Sequence, residues 1–308
     1  MALLFSSQAD DPVAWTAMLR TAYPDLDIRI WPEVGAVADI DVALVWKYPP
    51  GDLARYPNLK LVCSLGAGVD HLLDDPKFPD VALVRIVDPA MTAGMTEFVC
   101  AAVLRHHCQF PEFAQYQRER RWMRQNRPPA RERVVGILGM GELGRDAATM
   151  LQALGFTVIG WARTERKLAG VDTFGGAAGL PAFLARAQIL VCLLPLTPAT
   201  RGILNSALFA QLPRGAALVN VARGAHVVDG DLLAALDAGQ LSGATLDVFS
   251  PEPLPAGHPF WSHPKIFVTP HVASLTNPRT AAAQIIENIR RFRAGEKLLN
   301  QVDRALGY

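Results

Sequence analysis

Three short stretches set side chains of complementary chemistry in a fixed order. They are "NVARGA" with Arg223, "LDVFSPEP" with Asp247 and Glu252, and "VTPHVAS" with His271. A guanidinium, a carboxylate and an imidazole are the parts needed to reduce a carbonyl that stands beside an acid group. The cation holds the acid and polarises the carbonyl, and the imidazole hands a proton to its oxygen. A carboxylate next to such a donor favours the donor's charged form. Taken singly, each residue has a bland explanation: Arg223 as a capping or surface arginine, His271 as a satisfied buried histidine, Glu252 between Pro251 and Pro253 as a turn residue. Together they read as one site. The other histidines fit less well. His106 and His107 are adjacent and face different ways on a helix, while His258 and His263 lack metal-ligand spacing, so no metal is expected.

The elements that would carry these residues alternate in type. From residue 134 onward, β-branched strands ("VVGIL", "FTVIGWA", "ILVCLLP", "AALVNVA", "ATLDVF", "KIFVTP") are separated by helical stretches. The helices are expected at Leu143–Leu154, from about Pro181, at 205–212 and at 231–238. Apolar strands alternating with amphipathic helices imply a parallel sheet covered on both faces, a doubly wound α/β domain whose ligands bind beyond the carboxyl ends of the strands. Residues 1–90 repeat the style, with strands expected at 2–6, 27–31, 42–46, 60–64 and 81–86 and helices at 12–22 and 51–56. A last helix, 278–294, follows the final strand.

The stretch "GILGMGELG" holds Gly139, Gly141 and Gly144 as G-x-G-x-x-G. Alone the pattern is weak, but here it follows a strand and opens a helix. In that context the first glycine allows a tight turn, the second lets backbone approach a pyrophosphate, and the third lets helix and strand pack closely. Free N–H groups at the helix start then face the phosphates. The second strand ends at Ala162, where a dinucleotide fold often places an acid on the ribose hydroxyl. Ala162 removes that charge, and Arg163 and Thr164 supply a planar cation and a hydroxyl, with Arg166 and Lys167 nearby. That combination favours a 2′-phosphate and therefore NADP(H), with NAD(H) as second choice. The bland alternative is a solvent-facing Arg163.

Composition limits the remaining classes. With 308 residues, half of them hydrophobic, the chain can build two cores. A net charge of +1 favours neither nucleic acid nor an anionic membrane surface. Four scattered cysteines (Cys63, Cys100, Cys108, Cys192) suit reduced thiols, and no segment has the apolar length of a membrane span. The N-terminal "MALLFSSQADD" reads as a strand, not a signal peptide, so the expected setting is cytoplasmic. The stretch 92–133 turns from apolar to rich in Arg and Gln, interrupted by Glu112, Glu119 and Glu132. A solvated helix or an arm packed on a second subunit suits it better than a nucleic-acid surface.

The order of "GILGMGELG", "LLPLTPATRGIL", "LVNVARGAHVVDGDLLAALDAG", "ATLDVFSPEPLP" and "VTPHVAS" resembles the D-2-hydroxyacid dehydrogenase family over essentially the whole chain. "ALVWKYPP", "LGAGVDH" and "QVDRALGY" are similar, more narrowly, to its glyoxylate/hydroxypyruvate reductase A group. The resemblance implies a Rossmann-type cofactor domain at 99–276 and a flavodoxin-like substrate domain assembled from 1–98 and 277–308, with a homodimer formed through the former. It implies that Arg223 binds the substrate's carboxylate and carbonyl, that His271 donates the proton, and that Glu252 orients it. Leu65, Gly66, Ala67 and Gly68 would meet the carboxylate through backbone N–H groups, and Trp46 would narrow the pocket. The cofactor would lie along Gly139, Met140, Gly141, Glu142, Leu143 and Gly144, the strand end Trp161, Ala162, Arg163 and Thr164, and the flanking Leu194 and Pro195. Val221, Ala222, Arg223, His271, Ala273 and Ser274 would complete its surroundings, with Asp247 on the nicotinamide carboxamide. Ala162 stands where a serine is expected in the closest relatives, which weakens the NADP(H) preference without reversing it. The expected activity is reduction of small 2-oxo acids such as glyoxylate or hydroxypyruvate. The alternative is a dinucleotide-sensing regulator, which should carry partner-binding tails.

Overall fold

A computed structural model of the chain describes residues 2–164 and 167–307. The backbone divides into two compact units, Met1–Met91 with Leu275–Tyr308, and Thr92–Ser274.

The first unit is built on a five-stranded, all-parallel sheet. Its strands are β1 (Ala2–Ser7), β2 (Ile28–Ile30), β3 (Ile40–Trp46), β4 (Leu61–Ser64) and β5 (Ala82–Val84), in the order β2-β1-β3-β4-β5. Every residue from Ile40 to Val45 is buried, as a strand covered on both faces requires. Helix α1 (Pro12–Ala22) starts on Asp11, whose carboxylate accepts the N–H of Val13, with Pro12 in the first turn. Its Trp15 and Leu19 share a core with Ala281, Ile285, Ile286 and Ile289 of the terminal helix, Pro278–Ala294. That i, i+4 spacing is how a chain end more than two hundred residues away returns to the first sheet. The short helix α2 (Asp70–Leu73) follows the loop after β4.

The second unit opens with α3 (Pro89–His107), which begins just ahead of the boundary, and α4 (Phe110–Arg118). Alternating elements follow: β6 (Val134–Leu138), α5 (Glu142–Ala153), β7 (Thr157–Ala162), β8 (Asp172–Gly175), α6 (Gly176–Leu184), β9 (Ile189–Cys192), α7 (Ser206–Phe209), β10 (Ala216–Asn220), α8 (Asp229–Asp237), β11 (Leu241–Leu246) and β12 (Ile266–Val268). All pairings are parallel, in the order β12-β11-β10-β9-β6-β7-β8. The order reverses between β6 and β9, so the loops after these two strands frame the position where such sheets bind ligands.

Several expectations shift. The unit boundaries fall earlier than 98/99 and 276/277: Met95, ahead of residue 99, already packs with Val135, Ile137 and Ala147 of the second unit, whereas Leu275 and Thr276 belong to the first. Helix α6 starts at Gly176, not near Pro181, which sits inside it and costs it one backbone hydrogen bond. The expected helix 51–56 is a 3-10 turn, Asp52–Arg55, and β8 is a short strand the alternation did not announce. The arm 108–133 is helical only through α4 and a 3-10 turn at Ala130–Glu132.

Candidate active site

The turn after β6 meets the steric demands of dinucleotide binding one glycine at a time. Gly139 has φ +104°, and a Cβ there would stand 2.7 Å from the carbonyl oxygen of Leu193. A Cβ on Gly144 would come within 1.9 Å of the oxygen of Gly139, so only hydrogen lets α5 sit this close. Gly141 is different: nothing lies within 4 Å of a Cβ built on it. Its role is to leave space, not to fit into it. Helix α5 has no side-chain cap, and its first backbone bond runs from Arg145 to Gly141. The N–H groups of Glu142, Leu143 and Gly144 therefore have no acceptor within the helix and point toward that space. The residues present fit a pyrophosphate.

At the end of β7, Arg163 and Thr164 are exposed, as an adenosine-ribose edge requires. Arg166, expected to help, lies outside the described residues. Trp161 and Met140 are buried, so they shape the edge from below. The Trp161 indole donates to the carbonyl of Gly176 at 2.9 Å, and Met140 fills the space a side chain at Gly160 would need. After β9, the backbone of Leu193 pairs with Leu138, and the Pro195 carbonyl accepts the Thr200 hydroxyl. This fixes the loop carrying Leu194 and Pro195.

The charged groups stand at the carboxyl ends of the adjacent strands β10, β11 and β12. Beyond β10 the fully buried Asn220 accepts the N–H of Ala222 and donates to the carbonyl of Arg223 at 2.9 Å, holding the turn from which the guanidinium projects. Gly224 admits no Cβ, since one would stand 2.0 Å from the backbone of Phe249. His271 Nδ1 lies 2.8 Å from Glu252 Oε2, with both side chains partly buried. The other Glu252 oxygen accepts the N–H of Phe249, which orients the carboxylate. Proton on Nδ1, assigned from this contact, leaves Nε2 as the nitrogen that can serve a ligand. His271 has φ +58°, an uncommon conformation for a residue with a side chain.

Asp247 explains how that conformation is held. Its Oδ1 accepts from the Thr269 hydroxyl at 2.6 Å and the Val272 N–H at 2.9 Å, and its Oδ2 from the Ala273 N–H at 2.9 Å. The residue is 1% exposed. A carboxylate offers about four acceptor positions, so a carboxamide could claim at most the one that remains. Its principal work is to bend the chain around His271.

In the first unit, the loop after β4 carries Leu65–Gly68. The buried Ser64 hydroxyl accepts the Gly66 N–H and donates to the Gly68 carbonyl, closing the loop on itself. The Leu65 N–H pairs with Val45. Two of the four expected donors are thus already used, and the N–H groups of Ala67 and Gly68 are those left for an anion. Trp46 ends β3 and lies against Gly66. Ser64 carried no motif, and only the three-dimensional loop discloses it.

His106, His258, His263 and two buried thiols stand outside this arrangement. His106 contacts the Thr245 hydroxyl at 3.0 Å, and burial, reinforced by neighbouring Arg105, pushes its pKa down to about 4. His258 and His263 stand 3.2 Å and 3.4 Å from Asp229 and Asp237. Burial pushes the thiols of Cys63 and Cys192 up to about 12, which keeps both protonated and unreactive.

The site's geometry has a counterpart among known proteins. A model described as D-isomer specific 2-hydroxyacid dehydrogenase, NAD binding domain, matches residues 100–273. The chain belongs to this family. It is 42% identical over 314 residues to the glyoxylate/hydroxypyruvate reductase A of Yersinia enterocolitica, covering all of both chains. The protein of that name from Serratia proteamaculans is 44% identical, with 96% of each chain covered. Among solved structures, a D-isomer specific 2-hydroxyacid dehydrogenase of Xanthobacter autotrophicus Py2, in complex with NADPH and MES, is 50% identical with a TM-score of 0.95. The match covers 100% of this chain and 99% of that one. The NADPH-dependent glyoxylate/hydroxypyruvate reductase of Sinorhizobium meliloti, in complex with NADP and sulfate, is 42% identical with a TM-score of 0.94 over the same coverage.

Proposed function

We propose that this 2-hydroxyacid dehydrogenase reduces small 2-oxo acids, glyoxylate and hydroxypyruvate foremost, to 2-hydroxy acids with NADPH. The observation that carries the reading is the 2.8 Å contact between His271 Nδ1 and Glu252 on the sheet edge that also holds the glycine turn. Full-length relatives named for this activity support it. They give no support to the dinucleotide-sensing regulator.

The bound dinucleotide would supply hydride to the carbonyl carbon. Arg223 binds the substrate carboxylate and polarises the carbonyl; within the first unit, the N–H groups of Ala67 and Gly68 are donors of the kind a carboxylate needs. As negative charge gathers on the oxygen, His271 as the imidazolium delivers the proton from Nε2, while Glu252, bonded to Nδ1–H, holds the ring in the orientation that lets it do so. Hydride on the carbon and the proton on the oxygen together turn the 2-oxo acid into the 2-hydroxy acid. Arg163 and Thr164 take the 2′-phosphate. Ala162 has no hydroxyl to donate to it, so the preference for NADPH over NADH is smaller than a serine would give. Trp46 narrows the pocket against bulky 2-oxo acids.

Among the described residues, no helix is long and apolar enough to cross a membrane, and we assign the protein to the cytoplasm. Helix α4 exposes Phe110, and the segment beyond it exposes Met123 and, to 93%, Trp122. A second copy of the chain covering this surface accounts for it, giving a homodimer. The enzymatic test is NADPH absorbance followed over a panel of 2-oxo acids. Rapid loss with glyoxylate or hydroxypyruvate is expected, and no turnover with any of them would contradict the assignment.

A further inference from the structure

The Trp46 indole packs at the margin of the first unit's core, and two further contacts that belong to no catalytic motif restrain it. A Cβ on Gly66 would lie 2.6 Å from Cζ3 and 2.9 Å from Cη2 of Trp46, so the ring occupies the space a side chain would need there. The second contact is with His71, whose ring centroid stands 4.4 Å from the indole's at an interplanar angle of 66°, an edge-on aromatic arrangement. His71 stands on α2, and its neighbours Val69 and Leu72 are 2% and 0% exposed, anchoring that helix in the core. The Ser64 hydroxyl holds the intervening loop by its bonds to Gly66 and Gly68. Both supports of the indole are therefore themselves fixed.

We propose that His71 is a positioning residue that sets the size limit for the 2-oxo acid by holding Trp46 in one rotamer against the Leu65–Gly68 loop. The inference rests on the reading of Trp46 as the wall of the substrate pocket. Gly66 limits how closely the indole approaches the backbone, but it cannot stop the ring from swinging away. An aromatic edge on an anchored helix can. Losing it frees the indole without touching Arg223, Glu252 or His271, so the consequence falls on substrate selection and not on the proton and hydride steps.

The experiment measures kcat and KM for glyoxylate, 2-oxobutyrate and phenylpyruvate in five enzymes besides the wild type: His71→Ala, His71→Gln, His71→Phe, Trp46→Ala and the His71→Ala/Trp46→Ala double variant. His71→Ala and His71→Gln are each expected to raise the kcat/KM ratio of 2-oxobutyrate to glyoxylate by about tenfold through KM, with kcat on glyoxylate within about twofold of wild type. His71→Phe, which restores an aromatic edge, should return the ratio to wild type. Trp46→Ala should relax it further, and adding His71→Ala should then change nothing. A His71→Ala effect that persists in the Trp46→Ala background means His71 meets substrate directly and overturns the proposal. So does an unchanged ratio in His71→Gln, whatever happens to its thermal stability, when Trp46→Ala has relaxed it. An unchanged ratio in Trp46→Ala itself removes the pocket-wall reading and this inference with it. Glutamine keeps the test decisive where the alanine variant fails to fold.

Discussion

The two parallel sheets end in loops that do different work. At the carboxyl edge of the seven-stranded sheet, ionisable side chains stand in working geometry: His271 against Glu252, with Arg223 on a turn clamped by Asn220. At the same edge of the five-stranded sheet, the residues assigned to substrate carry no charge. Trp46, Gly66 and two backbone N–H groups supply shape and hydrogen bonds only. In the proposed reaction the second unit supplies the groups for proton and hydride transfer, and the first those that would select the substrate. Substitutions in the former should therefore act on cofactor binding and kcat, and those in the latter on KM and selectivity.

The most severe expected effect is at Gly144. Valine there would force atoms to within 1.9 Å of the Gly139 carbonyl, so Gly144→Val should abolish NADPH binding as read by fluorescence titration. Retention of binding within about twofold would mean that this turn is not the phosphate cradle. Next is Arg163→Ala. Loss of one exposed charge-assisted contact should weaken NADPH by about tenfold and leave NADH almost unchanged, measured as kcat/KM for each cofactor. Equal losses for both would assign Arg163 to something other than the 2′-phosphate. Smaller again is Ser64→Ala, which releases the loop that presents Ala67 and Gly68. A rise of about threefold to tenfold in KM for glyoxylate, with kcat unchanged, is expected, since a neutral hydrogen bond contributes about 1 kcal/mol. A fall in kcat without a change in KM would contradict the division of labour between the units.

The mildest concerns His106. Its folded-state pKa of about 4 lies below the unfolded value of 6.5, so the unfolded chain binds more protons between these two pH values. Its contribution to stability is complete above pH 6.5 and is lost as pH falls toward about 4. Urea midpoints measured across this range should fall more steeply for the wild type than for His106→Asn. Parallel profiles would show that the ring titrates elsewhere.

What could be read from the sequence was what chemistry forces into local patterns. The glycine turn, the strand-end position of Arg163 and the trio Arg223, Glu252 and His271 are all recognisable within short windows, because each depends on backbone sterics or on residue type near a strand end. The unread parts depend on register between distant segments. Ser64 looks like any strand serine until its hydroxyl is seen bridging Gly66 and Gly68. The resemblance assigns Asp247 to the nicotinamide carboxamide and says nothing of the three donors between Thr269 and Ala273 that converge on it, which only the pairing of β11 with β12 brings about. Pro181 suits a first turn and points to a later start for α6, while Gly176, with φ +61°, opens the helix instead. The unit boundary moved because α3 is apolar from its beginning, and composition alone does not say which core an apolar helix joins.

The central claim is that His271, oriented by Glu252, gives the proton that accompanies hydride transfer. It is tested most directly by His271→Ala, with NADPH affinity and glyoxylate turnover measured on the same preparation. An affinity within about threefold of wild type and a kcat lower by about a thousandfold are expected. A variant that binds NADPH and turns over glyoxylate at close to the wild-type rate would contradict it.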